Sequence, residues 1–190
     1  MIYIKDDFIP EVLFKSLQKY LNNGEFNTVN SGGKDFHIKK SLPHFNEYMI
    51  QTLSNIERKK IRNILSFFRT SNEDLDTTWR IHSDLNINGE KPDRALVLYM
   101  SPRERDDLHG TALWEHDVYG REIPKDITDE DYNSMIDVDA EDTDRWRLST
   151  VVGYEENRLV SYPSSYFHSK YPNISWKEGR NVFVMFYKYE

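Results

Sequence analysis

Trp79-Arg80-Ile81-His82-Ser83-Asp84, followed after a Gly-containing loop by Ala95-Leu96-Val97-Leu98-Tyr99-Met100-Ser101, decides how this chain folds. The second run is apolar and bounded by turn residues, the pattern of a buried strand. The first reads as an extended strand in which residues two apart share a face, so His82 and Asp84 point one way and Ser83 the other. Such a pair can grip one ion. A third ligand has to come from elsewhere, and His168, in Tyr166-Phe167-His168-Ser169, lies 86 residues downstream, far enough for intervening strands to return it to the first pair.

Two imidazoles and one carboxylate are the ligand set of non-haem Fe(II) sites. Three protein ligands on one face leave the opposite positions open for substrate and dioxygen, unlike a closed structural site. Each residue also has an ordinary reading. His82 suits a hydrogen-bonded strand histidine, Asp84 the opening of the turn Leu85-Asn86-Ile87-Asn88-Gly89, and His168 a half-buried ring among Tyr166, Phe167 and Tyr171.

Working outward, Pro10 to Leu21 carries Val12, Leu13, Leu17, Tyr20 and Leu21 at helical spacing, and Asn22-Asn23-Gly24 stops it. A second helix is predicted from about Phe45 to Asn63, with a turn at Asn30-Ser31-Gly32-Gly33 between the two. From Ile64 onward the chain breaks into short aromatic and β-branched runs: Ile64 to Thr70, Trp79 to Asp84, Ala95 to Met100, Ala112 to Glu115, Leu159 to Tyr162 and Val182 to Tyr189. Helices followed by strands predict an α+β fold, with the N-terminal helices packed on one face of a mostly antiparallel sandwich or barrel. A double-stranded β-helix (jelly roll) is among the candidates.

The length of 190 residues suits one domain, with a helical part over 1–63 and a β core over 64–190. The chain holds 25 basic against 32 acidic residues, a net charge of −7, yet nine of the acids crowd into Asp126 to Asp144 with no Lys or Arg among them. Without that patch the remainder is slightly basic. The segment Asp126 to Trp146 therefore reads as a solvated, mobile loop, with a lid over a basic or neutral substrate as the functional alternative. The acidic balance argues against a nucleic-acid partner, which needs a basic footprint. There is no cysteine, Met1 to Asp7 lacks a signal-peptide pattern, and no stretch approaches the ~18 apolar residues of a membrane span. The expectation is a soluble cytoplasmic protein.

The order of these pieces resembles the Fe(II)- and 2-oxoglutarate-dependent oxygenases, in particular the prolyl 4-hydroxylase-like branch. The likeness covers nearly the whole chain. It runs from Ile4-Lys5-Asp6-Asp7-Phe8-Ile9-Pro10 through the His-x-Asp strand, the strand ending in Tyr99, Gly110-Thr111-Ala112-Leu113 and the second His, to Arg180 at the head of the last strand. The resemblance implies that His82, Asp84 and His168 hold Fe(II), that Arg180 pairs with the distal carboxylate of 2-oxoglutarate, and that Tyr99 assists it. It implies use of dioxygen, release of succinate and carbon dioxide, and hydroxylation of a peptidyl (including prolyl), amino-acid or small-molecule substrate.

Arg180 also suits the role chemically, because its planar fork accepts a carboxylate bidentately. It lies 12 residues after His168, a longer spacing than in close relatives, so Lys177, at 9 residues, is a rival. His109 stands where a second glycine is common. Phe68, Trp79, Trp114, Tyr162 and Tyr166 are available to wall the site or simply to fill core. Two other functions stay open. A cupin-like module could hold a metal without redox turnover, and a nucleic-acid demethylase would share the triad, though the last strand carries no further Arg.

Overall fold

Pro10 and Pro43 open the two N-terminal helices of the computed structural model, which describes residues 1–31, 34–72, 79–102, 109–172 and 179–190. Proline suits the first helical turn because its missing N–H would have no partner there. The short strand β1 (Tyr3–Lys5) precedes α1 (Glu11–Asn22), and the hairpin β2 (Asn27–Ser31) and β3 (Lys34–Lys40) separates it from α2 (Pro43–Glu57). Helix α2 stops short of the expected Asn63. Arg58 takes a left-handed conformation (φ 53°) as its C-cap, and β4 (Ile61–Ser71) then starts before Ile64. The predicted helical region over 1–63 thus also supplies three strands.

The remaining elements are β5 (Arg94–Tyr99), β6 (Gly110–His116), α3 (Asp129–Asp139), β7 (Trp146–Gly153), β8 (Leu159–Pro163), β9 (His168–Tyr171) and β10 (Arg180–Tyr189). Among the described residues two sheets result, a seven-stranded one in the order β1-β8-β5-β10-β4-β3-β2 and a three-stranded one in the order β7-β6-β9. Every pairing within them is antiparallel. The class is α+β.

Strand alternation divides the core in two. Leu96 and Leu98 of β5, with Phe183 and Met185 of β10, face the helices and pack with Phe14, Leu17, Phe45, Met49 and Leu53. Their neighbours Ala95, Val97 and Tyr99, with Val182 and Phe186 and with Val160 and Tyr162 of β8, face the other way, towards β6 and β7. Phe45 sits at the helix–sheet junction, 4.9 Å from the Phe183 ring edge-on and 6.0 Å from Phe68 in a stack. The helices therefore buttress one side of the large sheet, and its other side is left to line a cavity.

Two expectations are overturned here. Trp79 to Asp84 is not a ladder strand, since its described residues make a single antiparallel bridge, His82 with His168. Nor is Asp126 to Trp146 a loop. It contains α3 and a one-turn helix at Thr143–Arg145, and Met135, Ile136, Ala140 and Trp146 are buried in a third core cluster with Ile81 and Phe167. Thr128 caps α3, its hydroxyl accepting the Asp131 N–H at 3.1 Å, and Asp129, Glu130 and Asp131 occupy the first turn, where the helix dipole favours negative charge.

Candidate metal centre

His82 and His168 exchange both backbone hydrogen bonds, His82 N–H to the His168 carbonyl at 3.0 Å and the reverse at 2.8 Å. This reciprocal pair brings residues 86 apart in sequence side by side. Ile81 is fully buried, whereas Arg80, His82 and Asp84 line the cavity, as period-two alternation requires. The segment is held by more than its one bridge. Ile81 N–H donates to the Ala140 carbonyl at 2.9 Å, Asp84 N–H to Ser164 at 2.9 Å, and the Ser83 N–H and carbonyl both bond the Tyr132 hydroxyl, at 3.0 and 2.7 Å.

The three side chains converge. Asp84 Oδ2 lies 3.4 Å from His168 Nε2, Asp84 Oδ1 lies 4.0 Å from His82 Nε2, and one ligand atom from each residue falls within 4.8 Å of the others. The Nδ1 atoms are already engaged. His82 Nδ1 lies 3.2 Å from the Arg80 carbonyl and His168 Nδ1 3.0 Å from the Tyr166 carbonyl. A carbonyl can only accept, so each Nδ1 carries a proton, and each Nε2, the atom that faces Asp84, is the one left for a ligand role. Fixing the tautomer through the far nitrogen is how metal-binding histidines are oriented.

Burial pushes the His82 imidazolium well below its ordinary pKa, with the neighbouring His168 adding to the effect, so the ring is held neutral as a ligand must be. Burial raises the Asp84 carboxyl, opposed by the charges around it. A divalent cation set between the two imidazoles and the buried Asp84 carboxylate would give that carboxylate a close counter-charge. The donor set thus fits a metal ion with open coordination positions.

Arg180 opens β10, opposite Ser71 of β4, and is buried with its guanidinium carbon 5.5 Å from the centroid of the Tyr99 ring. It lines the same cavity as the triad. Tyr99 stands behind it, stacked on Tyr154 at 4.3 Å, with its hydroxyl 2.8 Å from Thr111 Oγ1 and donating to the Val152 carbonyl at 3.3 Å. Thr111, not Tyr99, is the member of that pair that lines the cavity. On β6, Leu113 pairs with His168 and Thr111 reaches Tyr99, so the contacts to the triad and to Tyr99 leave the strand two residues apart. Lys177 lies outside the described residues.

The cavity holds about 1060 Å³. Its floor is the free side of the large sheet, with Leu65, Phe67 and Arg69 of β4 set beside Phe186, Val184 and Val182 of β10. Of the aromatic residues expected to wall the site, Tyr162 does so, with its ring 4.7 Å from that of His168. Phe68 packs under the helices, Trp79 and Trp114 meet edge-on in the third cluster, and Tyr166 packs against the second. His109 is buried, and its carbonyl accepts the Tyr154 N–H at 2.5 Å. Sequence reasoning missed Thr111, Arg69 and Tyr132. The signal for Tyr132 was the capping pattern Thr128-x-x-Asp131, which predicts the helix that carries it.

This architecture is the fold of the 2-oxoglutarate/iron oxygenases. The chain aligns over 98% of its length with HygX from Streptomyces hygroscopicus, solved with nickel, 2-oxoglutarate and hygromycin B (TM-score 0.62, 11% identity, 82% of that chain). It aligns over the same share with a 2OG-Fe(II) oxygenase family oxidoreductase from Burkholderia pseudomallei (TM-score 0.60, 9% identity, 85% of that chain). A Pseudomonas putida prolyl-4-hydroxylase is similar too, at TM-score 0.55 and 13% identity, with 92% of that chain covered. No family model matches the chain, and no curated protein matches it. Among the described residues no helix is long and apolar enough to cross a membrane.

Proposed function

We propose that this chain is a single-domain Fe(II)- and 2-oxoglutarate-dependent dioxygenase of the prolyl 4-hydroxylase-like branch, with its two sheets forming a double-stranded β-helix. It hydroxylates a peptidyl, amino-acid or small-molecule substrate. The observation that carries this reading is the pair of histidines whose Nδ1 protons are committed to backbone carbonyls while both Nε2 atoms face one carboxylate.

His82, Asp84 and His168 would hold Fe(II), and bound iron with 2-oxoglutarate supplies oxidation by dioxygen, with succinate and carbon dioxide released as an oxygen atom passes to the substrate. The chain's own residues bind, orient and exclude water. Arg180 receives the distal carboxylate, its charge dominating the far end of the cavity. Tyr99 positions that end through Thr111, whose hydroxyl it bonds and which itself faces the cavity. Tyr162 covers His168 and keeps water from its ring face.

The test is anaerobic titration of the metal-free protein with Fe(II) and then 2-oxoglutarate, followed by succinate release in air. Ordered binding, with 2-oxoglutarate perturbing the metal absorption, is expected. Metal binding that ignores 2-oxoglutarate would leave a metal-holding module and sink the oxygenase assignment.

A further inference from the structure

The ladder between β5 and β10 ends at the pair Tyr99 and Val182, two residues short of Arg180. On its other side Arg180 still faces Ser71 of β4. Towards β5 the ladder gives way to other bonds. Met100 N–H donates to the Asn181 carbonyl at 2.9 Å. Ser101 Oγ accepts the Asn181 N–H at 2.8 Å and donates to the Gly179 carbonyl at 3.4 Å, so one hydroxyl bonds the peptide units before and after Arg180. The Tyr154 hydroxyl accepts the Ser101 N–H at 2.6 Å and donates to the Asn181 carbonyl at 3.3 Å, tying the two segments together.

Tyr154 directly follows Gly153, the last residue of β7, and is buried. Its ring stacks on that of Tyr99, with centroids 4.3 Å apart and planes 18° from parallel, and the Arg180 guanidinium carbon lies 5.5 Å from the same Tyr99 centroid. One side chain therefore meets both the backbone that carries Arg180 and the ring beside which its guanidinium rests. Burial pushes both phenols above their ordinary pKa, and the charge of Arg180 is the largest influence opposing it on each. Each hydroxyl keeps its proton and is free to donate. Core packing alone would be served as well by phenylalanine at position 154; the hydroxyl is needed for the bonds to Ser101 and Asn181.

Resting on the oxygenase reading, we propose that Tyr154 is a positioning residue for the dicarboxylate co-substrate. Its hydroxyl fixes the backbone around Arg180 and its ring backs Tyr99, so the guanidinium is held at one distance from the triad and selects a co-substrate of one chain length. A guanidinium fork fixed in place makes both of its charge-assisted bonds only with a carboxylate that arrives at that distance. A loosened fork follows the carboxylate and discriminates less, because the ordering that pre-organisation supplies is then drawn from the binding itself.

The experiment uses protein loaded anaerobically with Fe(II) and titrated with 2-oxoglutarate and, separately, with 2-oxoadipate, which is one methylene longer, with binding read from the metal absorption. The wild type should prefer the shorter acid. Tyr154→Phe keeps the ring and loses the hydroxyl, and should bind 2-oxoglutarate about three- to tenfold more weakly, the worth of one neutral hydrogen bond. Its affinity for 2-oxoadipate should fall less, so the preference contracts, while Fe(II) affinity stays at the wild-type value. A general loss of structure weakens both acids together and leaves their ratio alone. If Tyr154→Phe does not fold, Ser101→Ala takes its place, since it removes the bonds to Gly179 and Asn181, and the same contraction is required of it. A wild type that binds the two acids equally, an unchanged 2-oxoglutarate affinity in the variant, a preference that stays or widens, or a loss of Fe(II) affinity overturns the proposal. Failure of the metal-loaded wild type to take up 2-oxoglutarate at all sinks the oxygenase reading instead.

Discussion

The hydroxyl of Tyr132 bonds both backbone groups of Ser83, accepting from its N–H at 3.0 Å and donating to its carbonyl at 2.7 Å. Ser83 lies between His82 and Asp84, so helix α3 grips that segment at its midpoint. Tyr132→Phe keeps the ring and removes both bonds, at a cost of about 1–2 kcal/mol of stability. Fe(II) affinity should fall by about tenfold, the usual consequence of loosening a ligand's support. Metal titration of the variant checks this, and unchanged affinity would show that the bridge to His168 suffices alone.

Asp84→Ala removes the only carboxylate of the triad and leaves two imidazoles. Iron-dependent succinate formation should disappear, with the fold intact by circular dichroism. Persisting turnover would move the metal elsewhere.

Arg180→Gln should raise the 2-oxoglutarate concentration needed for half-saturation by about ten- to a hundredfold, the loss of one or two charge-assisted hydrogen bonds. Lys177→Gln should leave it unchanged. The reverse result, read from succinate release against co-substrate concentration, would assign the carboxylate to Lys177.

Metal-free protein should lose stability as pH falls below about 6.5, the ordinary histidine value. Burial lowers the folded-state pKa of His82, so in that window the unfolded chain binds a proton that the folded chain refuses. Stability gained from the neutral ring is complete above the unfolded value and drains away below it. Thermal melts between about pH 7.5 and 5 should therefore drop more steeply for the wild type than for His82→Gln, and parallel slopes would refute this.

The fold was legible where burial is one-sided and periodic. Leu96 and Leu98 against Val97 and Tyr99, or the spacing of Leu17 and Leu21, announce their elements because each face meets a different core. The hairpin of β2 and β3 was missed because β2 is an exposed edge strand of polar residues. The end of α2 was misplaced because Arg58, without a glycine to mark it, takes the left-handed cap. For the site, the ligand types and spacing pointed to the three residues that converge. What stayed hidden was how they are held, because Trp79 to Asp84 finds its partners in α3 and Ser164 rather than in a ladder, and the acids of α3 masked its buried Met135 and Ile136.

Because the Ile81 and Ser83 amides are capped by Ala140 and Tyr132, the segment that carries His82 and Asp84 should open only as α3 undocks. Its hydrogen-exchange protection should follow that of the helix rather than that of either sheet. With a metal on the triad, the acidic stretch would act as a latch on its release, and substitutions on its outward face would register first as a changed metal off-rate.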